Sequence, residues 1–241
     1  NKLGVDPSID DNAGSNLLRT VLPRRLDTQR LLAHVLAMQG KLIEAEIQIR
    51  DVIDLTLSYY GTNSIPSGAA LLEFSSILSE QSRFAEARIL AQEALSIYKN
   101  TGASDGSLAV LKTQKAIAHY LVAEKKYDEA DKVLDFGYEM FEKYGGNFMQ
   151  HYYFLNKLQI HKHRGKEYSP RQIKSLRNLA EKGDIYTRIG ALILLDEYQE
   201  VEEIMLGMNR KEDLLMMENW PILDFIRDKF KDSELLQMFR K

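Results

Sequence analysis

The sequence predicts an all-α protein built from repeated helix pairs, and three observations carry that prediction. Strand signals are almost absent, since no Asn-Gly or Asp-Gly dipeptide joins two alternating runs and only five prolines interrupt long stretches of 3.6-residue apolar periodicity. A self-similar pattern recurs about every 42 residues, which is the mark of a solenoid whose units bury their apolar stripes against one another. The 241 residues are 44% hydrophobic and 28% charged, enough apolar side chain for a sizeable core.

Taken in order, residues 1–14 are polar, with three Asp and two Gly, and offer no stripe to bury, so they read as a flexible tail or linker. Helical pattern begins at about residue 15. The stretch from Leu32 through the polar turn Gly40-Lys41 to Leu42 and Ala45 is echoed from Phe74 through Ser82-Arg83 to Phe84 and Ala87. It returns from Ile117 through Lys125-Lys126 to Tyr127 and Ala130. The turn residues Gly40, Ser82 and Lys125 are 42 and 43 positions apart. A fourth turn at Gly165 follows a helix over 148–164, but Pro170 stands where Ala is expected, so that copy is degenerate. A fifth, shorter copy spans 194–204 with Val201 in the Ala place.

The pattern has a packing reason. Ala45, Ala87 and Ala130 let the second helix of each pair approach the first, while Leu42, Phe84 and Tyr127 fill the wedge near the turn. Ile49/Val52, Ala91/Ala94 and Leu134/Gly137 carry the inner stripe onward at helical spacing. Past residue 207, Leu223, Ile226, Phe230, Leu235, Leu236 and Phe239 share one apolar face, expected to cap the exposed end of the last pair. The domain reading is therefore a tail at 1–14, a repeat domain at 15–207 and capping helices at 208–241.

Composition excludes a good deal of chemistry. With no Cys there is no thiol nucleophile, zinc-thiolate site or iron–sulfur cluster. No Gly-x-Ser-x-Gly, P-loop, Gly-x-Gly-x-x-Gly, His-Glu-x-x-His or EF-hand pattern occurs. No enzyme, cofactor or metal site is expected. Residues 102–107 look like a phosphate loop but follow a helix, so they read as a C-terminal Gly and a cap for the next helix. His161 and His163 lie two apart, about 200° around a helix, and cannot share one ion; they read as a solvated basic helix end. Glu200, Glu202 and Glu203 read as an exposed helix face.

The net charge of −3 gives no field that would draw nucleic acid or an anionic membrane. The longest apolar run, 189–195, falls well short of the roughly 20 residues of a membrane span. Charge is nonetheless segregated, a basic stretch at 151–188 preceding an acidic one at 196–234, so the two are expected to attract and tighten the C-terminal stack. The chain opens on Asn1 without a secretory signal, which reads as a piece of a longer product. A cytoplasmic setting and a periplasmic domain of a membrane-anchored regulator both stay open.

On these turns and Ala positions the sequence resembles the tetratricopeptide repeat family over roughly residues 24–207. The 42-residue period is similar to the kinesin-light-chain variety, also found in bacterial signalling and regulatory proteins. The resemblance implies a right-handed superhelical solenoid of antiparallel helix pairs, working as a non-catalytic protein-interaction domain. A second, looser likeness of residues 217–230 to the closing segment of repeat domains on bacterial regulators implies the alternative of a sensory or oligomerisation arm.

The family's concave groove is lined by the first helix of each pair. Carried over by the turn register, this implies Asp27, Arg30, His34, Ala37 and Met38, then Ala69, Leu72, Ser76, Ser79 and Glu80. The third copy contributes Lys112, Lys115, His119, Val122 and Ala123, and the fourth Tyr152, Leu155, Gln159, Lys162 and His163. Arg30, His34, Ser76, Lys112, Lys115, His119, Tyr152, Gln159 and Lys162 are the candidate partner-binding residues. Cations outnumber acids here, so the implied partner is a protein or peptide, preferably acidic, with self-association as another possibility. The family's chaperone-tail clamp needs an Asn where His34 and His119 stand, which argues against that partner.

Overall fold

The computed structural model describes residues 11–144, 150–208 and 220–227. Ten helices form five successive pairs: α1 (Asp11–Met38) with α2 (Leu42–Tyr60), α3 (Ile65–Glu80) with α4 (Phe84–Asn100), and α5 (Leu108–Ala123) with α6 (Tyr127–Tyr144). Then come α7 (Gln150–His163) with α8 (Pro170–Lys182), and α9 (Ile185–Leu194) with α10 (Tyr198–Leu206). A 3-10 turn (Pro221–Leu223) leads into the single-turn helix α11 (Asp224–Arg227). Helix α1 starts at Asp11, inside the segment read as a tail.

Two kinds of turn alternate, and each has its own chemistry. Within every pair the chain reverses through a residue in the left-handed region: Gly40 (φ 74°), Ser82 (60°), Lys125 (61°), Gly165 (64°) and Asp196 (63°). All five make the same two hydrogen bonds, illustrated by Gly40 N to Ala37 O at 2.9 Å and Lys41 N to Leu36 O at 2.9 Å. That is the Schellman closure, which satisfies the last carbonyls of the first helix. Between pairs the next helix is started by a side-chain cap, and α4 also ends on a left-handed Gly102 with the same closure. Ser64 accepts from Ser67 N, Ser107 from Val110 N, and Asp184 from both Tyr186 N and Thr187 N. Ser107, not Asp105, is thus the cap expected after Gly102.

Ala45, Ala87 and Ala130 are fully buried, as are Val201 and the stripe residues Ile49, Ala91, Ala94 and Leu134. Their neighbours are the first helices of the same pairs, so a larger side chain there would force the axes apart. Polar links then tie each pair to the next. Gln81 Nε2 donates to Leu42 O (3.2 Å) and Glu46 Oε2 (2.9 Å), Arg83 pairs with the same carboxylate at 2.9 Å, and Arg88 pairs with Glu124 at 2.6 Å. Burial raises the Glu46 carboxyl, but the hydrogen bonds from Arg50 and Gln81 and the Arg83 charge outweigh it and hold it below the usual range.

The fourth pair departs from the rule. Elsewhere the second helix begins two residues after the left-handed turn residue, whereas α8 begins five after Gly165, at Pro170 in the Ala place. A Ser169–Gln172 capping box fixes this late start. With no small residue to seat it against α7, α8 packs on α9. The core divides accordingly. One cluster runs from α1 to α7 and includes Tyr153 and Ile160, and a second gathers Leu155 and Leu158 with α8, α9, α10 and the C-terminal segment. Helix α7 is buried from both sides.

The C-terminal segment lies differently from the expected cap. Leu223 and Ile226 are buried, yet Pro221–Leu223 packs against α5 and α9. A Cβ on Gly190 of α9 would come within 2.9 Å of the Trp220 ring and 3.2 Å of Leu155 of α7. The Phe225 ring packs on His163 of α7 at 4.4 Å. The segment therefore crosses the first helices of the last three pairs and is not confined to the end of the last one. Phe230, Leu235, Leu236 and Phe239 lie outside the described residues.

Candidate partner-binding groove

First helices α1, α3, α5, α7 and α9 share one face, and the residues the register assigns to it fall into three zones. At the N-terminal end the charged groups are matched within the protein. Arg30 pairs with Asp27 at 3.2 Å, and His34 Nδ1 lies 3.1 Å from Glu73 Oε1. Ser76 is exposed beside them. A cleft of about 250 Å³ opens here between α1, α2 and α3, bordered by Leu26, Asp27, Arg30, Thr56 and Ala69. Glu73 was not among the assigned positions; being next to Leu72 in the register, only the length of its side chain brings it to His34.

The middle zone is cationic. Lys112 is exposed on α5, and Lys115, one turn on, lays its ammonium 3.9 Å from the Tyr152 ring centroid. Among the described residues neither lysine makes an ion pair. Burial lowers the Lys115 pKa, and the Lys112 charge lowers it further. A cation held over an aromatic face keeps part of its electrostatic stabilisation without a carboxylate. His119 Nδ1 sits 3.2 Å from the Tyr152 hydroxyl. Burial first, and Lys115 second, hold its imidazole down to about 4, so it is neutral at physiological pH. Burial pushes the Tyr152 phenol upward, keeping it protonated.

The third zone, over α7, is covered by the chain's own segment. Lys162 Nζ reaches Leu194 O at 3.2 Å and Asp196 Oδ2 at 2.7 Å, with the Phe225 ring 5.5 Å away. His163 is sandwiched between Tyr127 (4.8 Å) and Phe225 (4.4 Å). Arg164 pairs with Asp131 at 2.9 Å and with Asp128. The basic end of α7 is thus a cross-link to α6, to the α9–α10 turn and to the C-terminal segment, not a solvated patch. Lys162–Asp196 and Arg177–Glu197 join the basic and acidic stretches, as the charge segregation predicts. Gln159 is 1% exposed, and among the described residues neither of its amide atoms has a partner.

A second opening lies away from this face. Where α8 leaves α7, a cleft of about 820 Å³ is bordered by Tyr138, His151, Phe154, Arg171, Lys174 and Asn178. No described helix is long and apolar enough to cross a membrane.

Five pairs with a common turn and a buried small residue after each regular one make a repeat architecture, and comparison with known proteins agrees. Residues 24–100, the first two pairs, match the model of the tetratricopeptide repeat family. The fold is a TPR-like helical-repeat solenoid. Two solved structures of nearly identical TPR-like repeats of kinesin light chain type from Podosopora anserina, one of them a point variant, resemble it over 90% of this chain and 94% of theirs. The TM-score is 0.55 in both cases, with 17% identity to the point variant and 16% to the other. No curated protein sequence matches the chain. The solenoid continues past the matched residues, because the turns at Lys125, Gly165 and Asp196 repeat the geometry of those at Gly40 and Ser82.

Proposed function

We propose that this solenoid is a non-catalytic interaction module that holds a peptide or a partner helix along the face of its first helices, with α5 as the electrostatic anchor. The observation that carries this reading is the Lys112–Lys115 pair. Two cations one turn apart repel each other, and one is partly desolvated on Tyr152, an arrangement that an incoming carboxylate would relieve. Of the neighbouring acids, Asp27 pairs with Arg30 and Glu73 lies against His34. Neutral His119 and protonated Tyr152 add hydrogen-bonding capacity beside the cations. The partner that fits is a protein segment bearing Asp or Glu.

The test is to recover partners with the full-length gene product by affinity purification and mass spectrometry, then titrate them calorimetrically. Changing Lys112 and Lys115 together to Glu should weaken binding by about tenfold or more, given the roughly 1.5–3 kcal/mol of a charge-assisted hydrogen bond. Unchanged affinity in that double variant would remove α5 as the anchor.

A further inference from the structure

We propose that Trp220–Ile226 is an internal ligand of the face formed by α5, α7 and α9, and that this half of the groove accepts in trans a peptide of the same chemistry. That chemistry is an aromatic ring, an aliphatic pair, then an acid and a second ring. The inference rests on the groove reading above and names the partner class and the regulation of its C-terminal half.

The segment behaves as a docked peptide. It contains one 3-10 turn and one helical turn, and it is held by side chains set into the first-helix face. Trp220 occupies the notch that Gly190 leaves beside Leu155. Ile222, Leu223 and Ile226 are buried in the second core cluster. Phe225 closes a stack with His163 and Tyr127, under the Lys162 ammonium. Asp224 lies where its charge acts on both His163 and Tyr127.

The fit leaves one defect. Leu155, Gln159 and His163 recur every fourth residue along one stripe of α7. Trp220 shares the Gly190 notch with the first and Phe225 packs on the last, so the segment runs along the helix that carries Gln159, whose buried amide has no partner among the described residues. An unpaired buried amide is a standing penalty on the covered state. A trans peptide whose backbone offers Gln159 a carbonyl and an N–H would remove it and so compete with a ligand that enjoys the advantage of tethering. The closing segment would then act as an occupant that a suitable partner displaces.

The test uses the full chain and a fluorescein-labelled peptide with the sequence of residues 218–227, read by anisotropy. Tethered ligands act at effective concentrations of the order of millimolar, so the unmodified protein should bind the peptide weakly. Changing Trp220 and Phe225 together to Ala removes the anchors of the internal ligand and should tighten peptide binding by about tenfold or more. Adding Gly190→Val, which fills the indole notch, should abolish that gain. No gain in the double variant, or a gain that survives Gly190→Val, overturns the proposal. If the double variant loses its helical circular dichroism, the unmodified protein decides, because Trp220 is its only tryptophan. A competing peptide with Phe in place of Trp, raised to about 1 mM, should shift the Trp220 emission to the red, and an unmoved spectrum overturns the proposal. Loss of this effect with Lys112/Lys115-dependent partner binding intact would count against the internal ligand and not against the groove.

Discussion

Gly137→Ala should destabilise the protein, although helix propensity alone predicts the opposite. Gly137 lies within α6, where replacing Gly by Ala normally stabilises by about 1 kcal/mol. Here an added Cβ would overlap the Tyr153 ring, standing 2.5 Å from Cζ and 2.8 Å from Cδ1. Tyr153 is fully buried and donates its hydroxyl hydrogen to Leu111 O at 3.0 Å, so it has no free direction in which to move. Overpacking of a close-packed core costs about 1–3 kcal/mol, and losing the tyrosine hydrogen bond adds about 1 kcal/mol. Set against the propensity gain, the net loss is about 1–3 kcal/mol. Urea titration followed by circular dichroism should give a lower midpoint with an unchanged slope. In a Tyr153→Leu background the clash is relieved, and the same Gly137→Ala change should become neutral or stabilising. A stabilising effect in the parent protein, or the same effect in both backgrounds, would refute the close approach of α6 and α7.

Other consequences can be checked by the same titration. Lys125→Gly should stabilise by up to about 1 kcal/mol, because Lys125 holds φ 61° with an exposed side chain and a left-handed L-residue costs about 1–2 kcal/mol, partly offset by the looser unfolded chain of Gly. Ala87→Leu should destabilise by about 1–3 kcal/mol or more, since Ala87 is wholly buried between α4 and α3. Acidification should weaken the fold through His119. Its pKa falls from an ordinary 6.5 to about 4 in the folded protein, so the unfolded chain binds the proton first, and stability present above pH 6.5 is lost as pH falls toward 4. The loss is about 3 kcal/mol at most. His161 and His163 shift in the same direction, so the difference between the parent and His119→Phe, measured from pH 7.5 to 4, isolates the His119 part.

What was legible in the sequence follows from what a one-dimensional pattern can encode. The pairs, their turns and the buried Ala positions were readable because each is local: a left-handed reversal and a small residue a fixed distance beyond it recur at 42-residue spacing. Even Ser82 and Lys125 could be placed without being glycines, since period and not residue type marked them. Gly137 was assigned to the inner stripe of α6, but the reason only glycine fits lies on Tyr153 of the next helix, beyond any spacing rule. Helix α7 lacks a stripe because it faces two cores at once, so its sequence could not say which residues look toward the groove. For α5 the family register assigns Lys112, Lys115 and His119 to the expected groove, and of these Lys112 is exposed and the other two half-buried. It was silent on what else lies against α7.

That silence explains the most consequential difference between the expected groove and the structure. A register assigns positions to a face but carries no information on occupancy, and Trp220-Pro221-Ile222-Leu223 reads equally well as an end cap or as a strap. Two features of the fourth pair favour the strap. With α8 packed on α9, helix α7 is held by α6 and α9, and the Phe225–His163–Tyr127 stack and the Lys162–Asp196 link add contacts at its C-terminal end. On the reading proposed above, a partner over α7 would exchange with this segment and not merely add to it. Binding over α7 would then be coupled to the packing of the last three pairs, whereas binding at Lys112 and Lys115 on α5 would not.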